Sequence, residues 1–257
     1  MEIRVLGCSG GIGGLATRTT SLLLDEDVLI DCGTGLSVLS FESLLKINHV
    51  FITHSHLDHI ALLPLLVDTV GEFRSQPITV HACAETVHIL RAHIFNWLVW
   101  PDFTAIPDRE HPYLRLQVME VGETIRLGQR LITALPALHS VPAVGYCVSG
   151  RGGSLAFSGD TGLCEPLIEA LNGISDLRYL LVETAFADAQ HDLALAARHM
   201  CPSTLRLMLS RLKVQPEVFV THLKPGMQDV IARELALGFG TLKPALLSNE
   251  QRFVLQD

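Results

Sequence analysis

Apolar positions along the chain fall into short runs separated by polar, glycine or proline breaks, and their period changes from segment to segment. Strand-like runs occur at 3–6, 19–24, 28–31 and 50–53, and again at 78–81, 114–121, 124–135, 143–148 and 154–158. Their β-branched and apolar content between turn residues predicts strands. Segments 36–46, 60–73 and 85–99 space their apolar residues as helices do. A proline-bearing stretch at 101–112 predicts a long loop that serves as a lid, a partner contact or an exposed crossover. The last third alternates helices at 165–171, 203–212 and 229–237 with strands at 179–183 and 217–221. Neither strict βαβ alternation nor all-β spacing accounts for this order. No solenoid-length repeat or low-complexity linker divides the chain, so one domain is expected over 1–257.

The densest polar interruption directly follows the run Val50-Phe51-Ile52. It reads Thr53-His54-Ser55-His56-Leu57-Asp58-His59-Ile60. Imidazole and carboxylate together suit zinc, iron or manganese, and one closed tetrahedral site would not take so many ligands from one loop. The alternative is a histidine-rich surface loop, and distant partners decide against it. His139 follows the apolar run 132–138, Asp160 follows 155–157, and His222 follows 218–220. Candidate ligands that each lie just past a strand can converge on one sheet edge.

The motif at His54, His56, Asp58 and His59, with His139, Asp160 and His222, resembles the signature of the metallo-β-lactamase superfamily. That resemblance implies an α/β (α+β) protein, a four-layer αββα sandwich, with two divalent metal ions. Zinc is the first choice, with iron and manganese also suited. It implies one ion on His54, His56 and His139, a second on Asp58, His59 and His222, and Asp160 bridging them. Asp160 could alternatively cap the helix that follows Thr161-Gly162. Further segments resemble the class II cyclic-nucleotide phosphodiesterases: Gly7-Cys8-Ser9-Gly10-Gly11, His93-Ile94-Phe95-Asn96 with Trp100-Pro101, Glu183-Thr184-Ala185-Phe186 with His199-Met200-Cys201-Pro202, and Thr221-His222-Leu223-Lys224-Pro225. Arg198 departs from that family's glycine, and Met200-Cys201 from its Leu-Thr.

The implied reaction is hydrolysis of a 3′,5′-cyclic nucleotide, cAMP or cGMP, to the 5′-nucleotide by a metal-bridging hydroxide. Two bound cations bring the pKa of water from about 15.7 to about 7. Asp58 would serve the reacting centre, His199 would protonate the leaving ribose oxygen, and Glu183 would hold His199 by a hydrogen bond. The competing reading of His199 is a surface histidine on a helix through 196–199. Helical spacing places His93, Asn96, Trp97 and Trp100 on one face, either a wall for a nucleobase or a core or dimer contact. Arg18, Arg198 and Lys224 are phosphate-contact candidates by their proximity to motifs. His49, His81, His88, His111 and His191 match no pattern and read as structural.

Composition narrows the partners. Among 257 residues the net charge is −8, which argues against a broad nucleic-acid surface but not against a small phosphorylated substrate bound through cations. A tRNA 3′-processing enzyme, a cyclic-dinucleotide phosphodiesterase and, further off, a β-lactamase-type amidase are the enzymatic rivals. A non-haem di-iron binding or sensor protein is the rival from another class. Six cysteines without a C-x-x-C pair read as reduced and mostly buried thiols. The start Met1-Glu2-Ile3 looks like a first strand and not a signal peptide, so the cytoplasm is expected. No apolar run reaches membrane-spanning length. A homodimer is compatible with all of this. The stretch Gly7–Gly14 lacks dinucleotide-loop and P-loop spacing; Gly7, Gly10 and Gly11 are expected to let backbone pass close beneath the metals.

Overall fold

The computed structural model describes residues 1–14, 16–237, 239 and 243–255. The first sheet takes strands β1 (Glu2–Gly7), β2 (Ser21–Leu24), β3 (Val28–Ile30), β4 (His49–Phe51), β5 (Ile78–Ala82) and β6 (Leu114–Val118). The second takes β7 (Thr124–Leu127), β8 (Arg130–Pro136), β9 (Val144–Gly150), β10 (Gly153–Phe157), β11 (Leu177–Glu183), β12 (Glu217–Thr221) and β13 (Ala245–Leu246). A last strand, β14 (Arg252–Val254), returns to the first sheet beside β1. Among the described residues both sheets have seven strands, in the orders 14-1-2-3-4-5-6 and 7-8-9-10-11-12-13. In each, three antiparallel pairings are followed by three parallel ones. The two halves thus share one plan.

Three apolar layers hold the sandwich together. Between the sheets lie Ile3, Val5, Leu22, Ile30, Phe51, Ile132, Tyr146, Val148, Phe157 and Leu181. The outer face of the first sheet is covered by a layer including Leu29, Val50, Leu63, Leu66, Val67 and Leu90. That of the second is covered by Leu167, Ile168, Leu171, Leu205 and Met208 against Leu180, Val182 and Val220. A buried side chain of this kind stabilises by roughly 1.5–3 kcal/mol relative to exposure. Two sheets face to face with helices outside make the expected four-layer αββα arrangement.

Several predicted elements divide, each for a local reason. The helix expected at 36–46 is a 3₁₀ turn, Thr34–Val38, followed by α1 (Phe41–Leu44), whose start is capped by the Ser40 hydroxyl accepting from the Ser43 amide. The helix at 60–73 becomes α2 (Leu57–Ile60) and α3 (Leu63–Val70), with Pro64 in the first turn of α3, where its missing N–H goes unneeded. The run 124–135 is a hairpin, because Gly128 takes φ 63° between β7 and β8. Helix 85–99 is the largest correction. It is α4 (Ala84–Ile89) with a π turn, Leu90–Ile94, and ends there. The Asn96 carboxamide oxygen accepts from the Leu98 and Val99 amides and Trp97 adopts φ 64°, so the chain turns back through a Phe95–Trp100 bridge.

The loop 101–112 is a crossover into β6, with Phe103 buried on the first core beside Phe95 and Tyr113. The remaining helices are α5 (Glu165–Asn172), α6 (His191–Ala197), α7 (Pro202–Leu209) and α8 (Gln228–Ala236). All six cysteines are free, and Cys32 and Cys201 are fully buried. Among the described residues, no helix is long and apolar enough to cross a membrane.

Candidate metal centre

Strands β4, β8, β10 and β12 end at Phe51, Pro136, Phe157 and Thr221, and the candidate ligands stand on the loops that follow. Side chains from several strand ends meet at such a carboxyl edge, the usual place for a site in parallel α/β sheets. The seven residues form two groups that share one member. The ligand atoms of His54, His56, His139 and Asp160 lie within 4.8 Å of one another, and so do those of Asp58, His59, Asp160 and His222. Asp160 Oδ1 is 3.4 Å from His59 Nε2, while Oδ2 is 3.1 Å from His222 Nε2, 3.7 Å from His54 Nε2 and 3.9 Å from His139 Nε2. The Asp160 carboxylate thus lies between the two groups, with Oδ2 close to ligands of both and Oδ1 turned to His59. No helix-capping hydrogen bond engages its side chain, and α5 begins only after Cys164.

The buried polar atoms fit divalent cations. Among the described residues, His54 Nε2, His59 Nε2, His222 Nε2 and Asp160 Oδ1 are all buried without a hydrogen-bond partner. One such atom costs roughly 1–3 kcal/mol, so four aimed at one space require a positive guest. Three far ring nitrogens are held instead, while His222 Nδ1 has no partner among the described residues. His59 Nδ1 donates to Asp31 Oδ2 (2.7 Å), His54 Nδ1 to the Thr53 hydroxyl (3.0 Å), and His139 Nδ1 to the Arg198 carbonyl (3.2 Å). A proton fixed at Nδ1 leaves Nε2 bare toward the cluster, as a metal ligand needs.

Asp31 escaped the sequence reading, where it was only the end of a strand. It is fully buried, adopts φ 60°, and also accepts the Thr53 amide (2.8 Å) and hydroxyl (2.9 Å). An aspartate ending a buried strand was the one available signal. Gly10 meets its expectation: a Cβ there would lie 2.5 Å from the His222 carbonyl and 2.9 Å from its ring. His222 itself sits at φ 62°, its amide bonded to the Cys8 carbonyl (2.8 Å).

Six imidazoles close a ring around Asp160. Centroid distances are 4.2 Å for His54–His59, 4.7 Å for His54–His56, 4.9 Å for His56–His139, 4.8 Å for His139–His199, 5.4 Å for His199–His222 and 5.3 Å for His222–His59. Burial drives His54 well below the ordinary histidine value, and takes His139 to about 4 and His222 to about 3. Burial opposes the His59 cation as well, but Asp160 and Asp31 outweigh it and raise this group well above its ordinary value. Burial also disfavours the Asp160 anion, and the surrounding His222, His59 and His54 reverse that and hold it well below the usual range.

His199, next in the ring, is bonded through Nδ1 to Glu183 Oε1 at 2.7 Å. Burial works against its cation, yet Glu183 and Asp160 raise it. Glu183 is fully buried and also accepts from the amides of Thr161 (3.0 Å), Ala185 (3.0 Å) and Met200 (3.3 Å). The carboxylate is thereby fixed at the end of β11.

The candidate substrate residues divide. Lys224 Nζ donates to the Gly10 carbonyl (2.9 Å), and its charge reaches both His199 and His222. Arg18 is engaged with Glu250 (3.0 Å). The supposed face of His93, Asn96, Trp97 and Trp100 does not exist, since the helix stops at Ile94. Asn96 uses both ends of its carboxamide within its own loop, Trp100 packs on the first core, and His93 is exposed.

A profile described as Beta-lactamase superfamily domain matches residues 26–223. The chain belongs to the metallo-β-lactamase superfamily. A Yersinia pestis protein described as a probable 3′,5′-cyclic-nucleotide phosphodiesterase is 29% identical over 72% of this chain and 59% of its own length. Ribonuclease Z of Clostridium beijerinckii is 32% identical over 57% of this chain and 48% of its own length. The alignments thus span about half to three fifths of these relatives. The structure of unliganded yeast PDE1 superposes with a TM-score of 0.81 at 20% identity over 98% of both chains. Human tRNase Z, short form, gives 0.70 at 18% identity over the full length of both. These likenesses share the fold. Superfamily membership and the paired ligand clusters together support a metal-dependent hydrolase with a dinuclear divalent site, typically of zinc.

Proposed function

We propose that the protein is a dinuclear metal-dependent phosphodiesterase that hydrolyses small phosphodiesters, with a 3′,5′-cyclic nucleotide as the preferred substrate. The observation that carries the reading is the His199–Glu183 pair, closed into the imidazole ring between His139 and His222. An alkoxide leaving phosphorus needs a proton, and a carboxylate-held histidine beside the seven metal-type ligands is placed to give one. The Yersinia relative's description and the acidic balance of −8 favour a small substrate.

In this reading His54, His56 and His139 would hold one ion and Asp58, His59 and His222 the second, with Asp160 common to both groups. Bound there, the cations would acidify water and offset phosphate charge. Asp31 and Thr53 keep His59 and His54 in the ligating tautomer. Water gives up one proton to solvent as its oxygen bonds to phosphorus, the P–O3′ bond breaks, and His199 Nε2 gives its proton to O3′ and regains one from solvent. Glu183 stabilises the charged imidazole beforehand and keeps its Nδ1 engaged. Lys224 lies at the side of His199 and His222 and contacts the phosphate. His93 and Trp97 are the residues of the 93–100 loop left free to meet a base.

A second reading, cleavage of precursor tRNA at its 3′ end, has support in the ribonuclease Z relatives. The test is turnover of the zinc-loaded protein on cAMP, cGMP, cyclic dinucleotides, bis-p-nitrophenyl phosphate and precursor tRNA. Preference for a cyclic mononucleotide is expected. Cleavage of precursor tRNA with cyclic nucleotides untouched selects the second reading. Iron with oxygen-dependent absorbance and no phosphodiester turnover selects a di-iron sensor.

A further inference from the structure

We propose that Arg198 is a positioning residue that clamps His139 from both ends and so sets the affinity of one metal position. Its carbonyl accepts from His139 Nδ1 at 3.2 Å, which keeps Nε2 bare toward His56 and Asp160. Its guanidinium Nη1 donates to the His139 carbonyl at 2.7 Å. One residue therefore fixes both the ring and the main chain of this ligand. For His59 the two ends are held by different residues: Asp31 takes the ring and the Cys32 amide donates to the carbonyl (2.7 Å).

The clamp requires an unusual backbone. Arg198 ends α6 at φ 54° and ψ 48°, a left-handed conformation that glycine adopts freely and a residue with a Cβ adopts at a cost. The turn closes with the Arg198 amide on the Leu195 carbonyl (3.1 Å) and the His199 amide on the Ala194 carbonyl (2.9 Å). It aims the Arg198 carbonyl at His139 and delivers the next side chain, His199, to Glu183. A glycine would make this turn more easily, yet it would lack the guanidinium. Among the described residues that group makes one hydrogen bond, the one to His139. The strained position is thus occupied by a side chain whose recorded polar contact is a metal-type ligand.

The opposite side of the His139 loop is tied separately, by the Leu138 amide to the Thr161 hydroxyl (2.9 Å) and the Gly162 amide to the Leu138 carbonyl (2.8 Å). Loss of the guanidinium therefore loosens His139 without releasing its loop. The inference rests on the ligand set of the proposed function and not on its substrate, so metal binding reads it even if no phosphodiester is turned over.

The experiment compares Arg198→Gly and Arg198→Lys with the parent by chelator competition, the absorption of the cobalt-substituted protein, melting of the metal-free protein, and kcat and KM on bis-p-nitrophenyl phosphate. Arg198→Gly is expected to weaken one of the two ions by about 10–100-fold, the usual effect of losing a group behind a ligand. The second ion should hold, the metal-free melting temperature should hold or rise because glycine relieves the left-handed turn, kcat should fall with KM nearly constant, and Arg198→Lys should recover part of the affinity. Unchanged binding of both ions overturns the proposal. So does equal weakening of both with a lower metal-free melting temperature, which marks a purely structural residue. A raised KM with metal affinity intact also overturns it, because the guanidinium would then be contacting substrate.

Discussion

Strands β4 and β5 lead to two sets of buried histidines that have little else in common. His49 and His81 lie between the sheets, where His49 Nδ1 and His81 Nε2 are 3.0 Å apart and Phe51 stacks on His81 at 4.5 Å. Just past the end of β4, His54 and His59 join a ring of imidazoles around Asp160. In the first set the facing nitrogens satisfy each other, and neither histidine falls in a cluster of three or more ligand-type groups among the described residues. In the second, His54, His59 and His222 turn Nε2 atoms inward that have no partner among the described residues, and the carboxylates of Asp58 and Asp160 face them. Burial of histidine therefore does not make a ligand. Convergence of unpartnered nitrogens on an acidic group does.

The sharpest way to break this contrast is Asp160→Ala. Without the carboxylate common to both groups, the variant should lose most of its metal and nearly all activity. Two ions per chain by metal analysis, with near-normal turnover, would falsify the ligand assignment. Next comes His199→Ala, which belongs to the ring but not to the ligands. It should keep both ions and slow cyclic-nucleotide turnover by about 10²–10⁴-fold, the span of a lost general acid. The defect should shrink on bis-p-nitrophenyl phosphate, whose leaving group departs without a proton; an equal loss on both substrates would make His199 a positioning residue.

Asp31→Asn should act more mildly, weakening binding at the His59 position by about 10–100-fold, because the amide can hold Nδ1–H but no longer as an anion. Unchanged affinity in a chelator titration would remove Asp31 from the site. The smallest effect belongs to the closed pair. Burial and the neighbouring His49 lower His81 from 6.5 to about 4. The unfolded chain then binds the proton near pH 6.5 while the folded protein refuses it until about pH 4. Stability is full above 6.5 and falls as the pH drops through that window, by on the order of 3 kcal/mol at most. His81→Gln should flatten this part of the acid unfolding curve of the metal-free protein, and an unchanged slope would show that the pair carries no proton linkage.

The strand ends and the order of ligand-bearing loops were legible along the chain because both are local. A β-type run such as 218–220 followed by His222 reads the same before and after folding, and β12 was expected at its observed bounds. Helices were legible where one apolar stripe continued, as in α5, and failed at 85–99. There the spacing of His93, Asn96 and Trp100 was helical, but the Asn96 carboxamide captured two amides and turned the chain back. The fold resemblance likewise came from motif order, which a sequence preserves.

Only the tertiary structure decided which polar groups stand behind the ligands. Asp31 and His59 are 28 positions apart and Glu183 and His199 are 16 apart, yet each pair is separated by 2.7 Å in space. Local pattern does not mark the Asp31–His59 pair, since a carboxylate at a strand end is ordinary until it is buried against a ring; the Glu183–His199 bond was expected, but from family resemblance and not from spacing. Arg198 shows the same limit: its type suggested a phosphate contact, and its left-handed backbone turned it to His139. The sequence by itself determined which chemistry arrives at the sheet edge, because ligand type and strand order are written in one dimension. Packing decided the direction of each nitrogen and the state of each proton, because those depend on groups that meet only when the two sheets close.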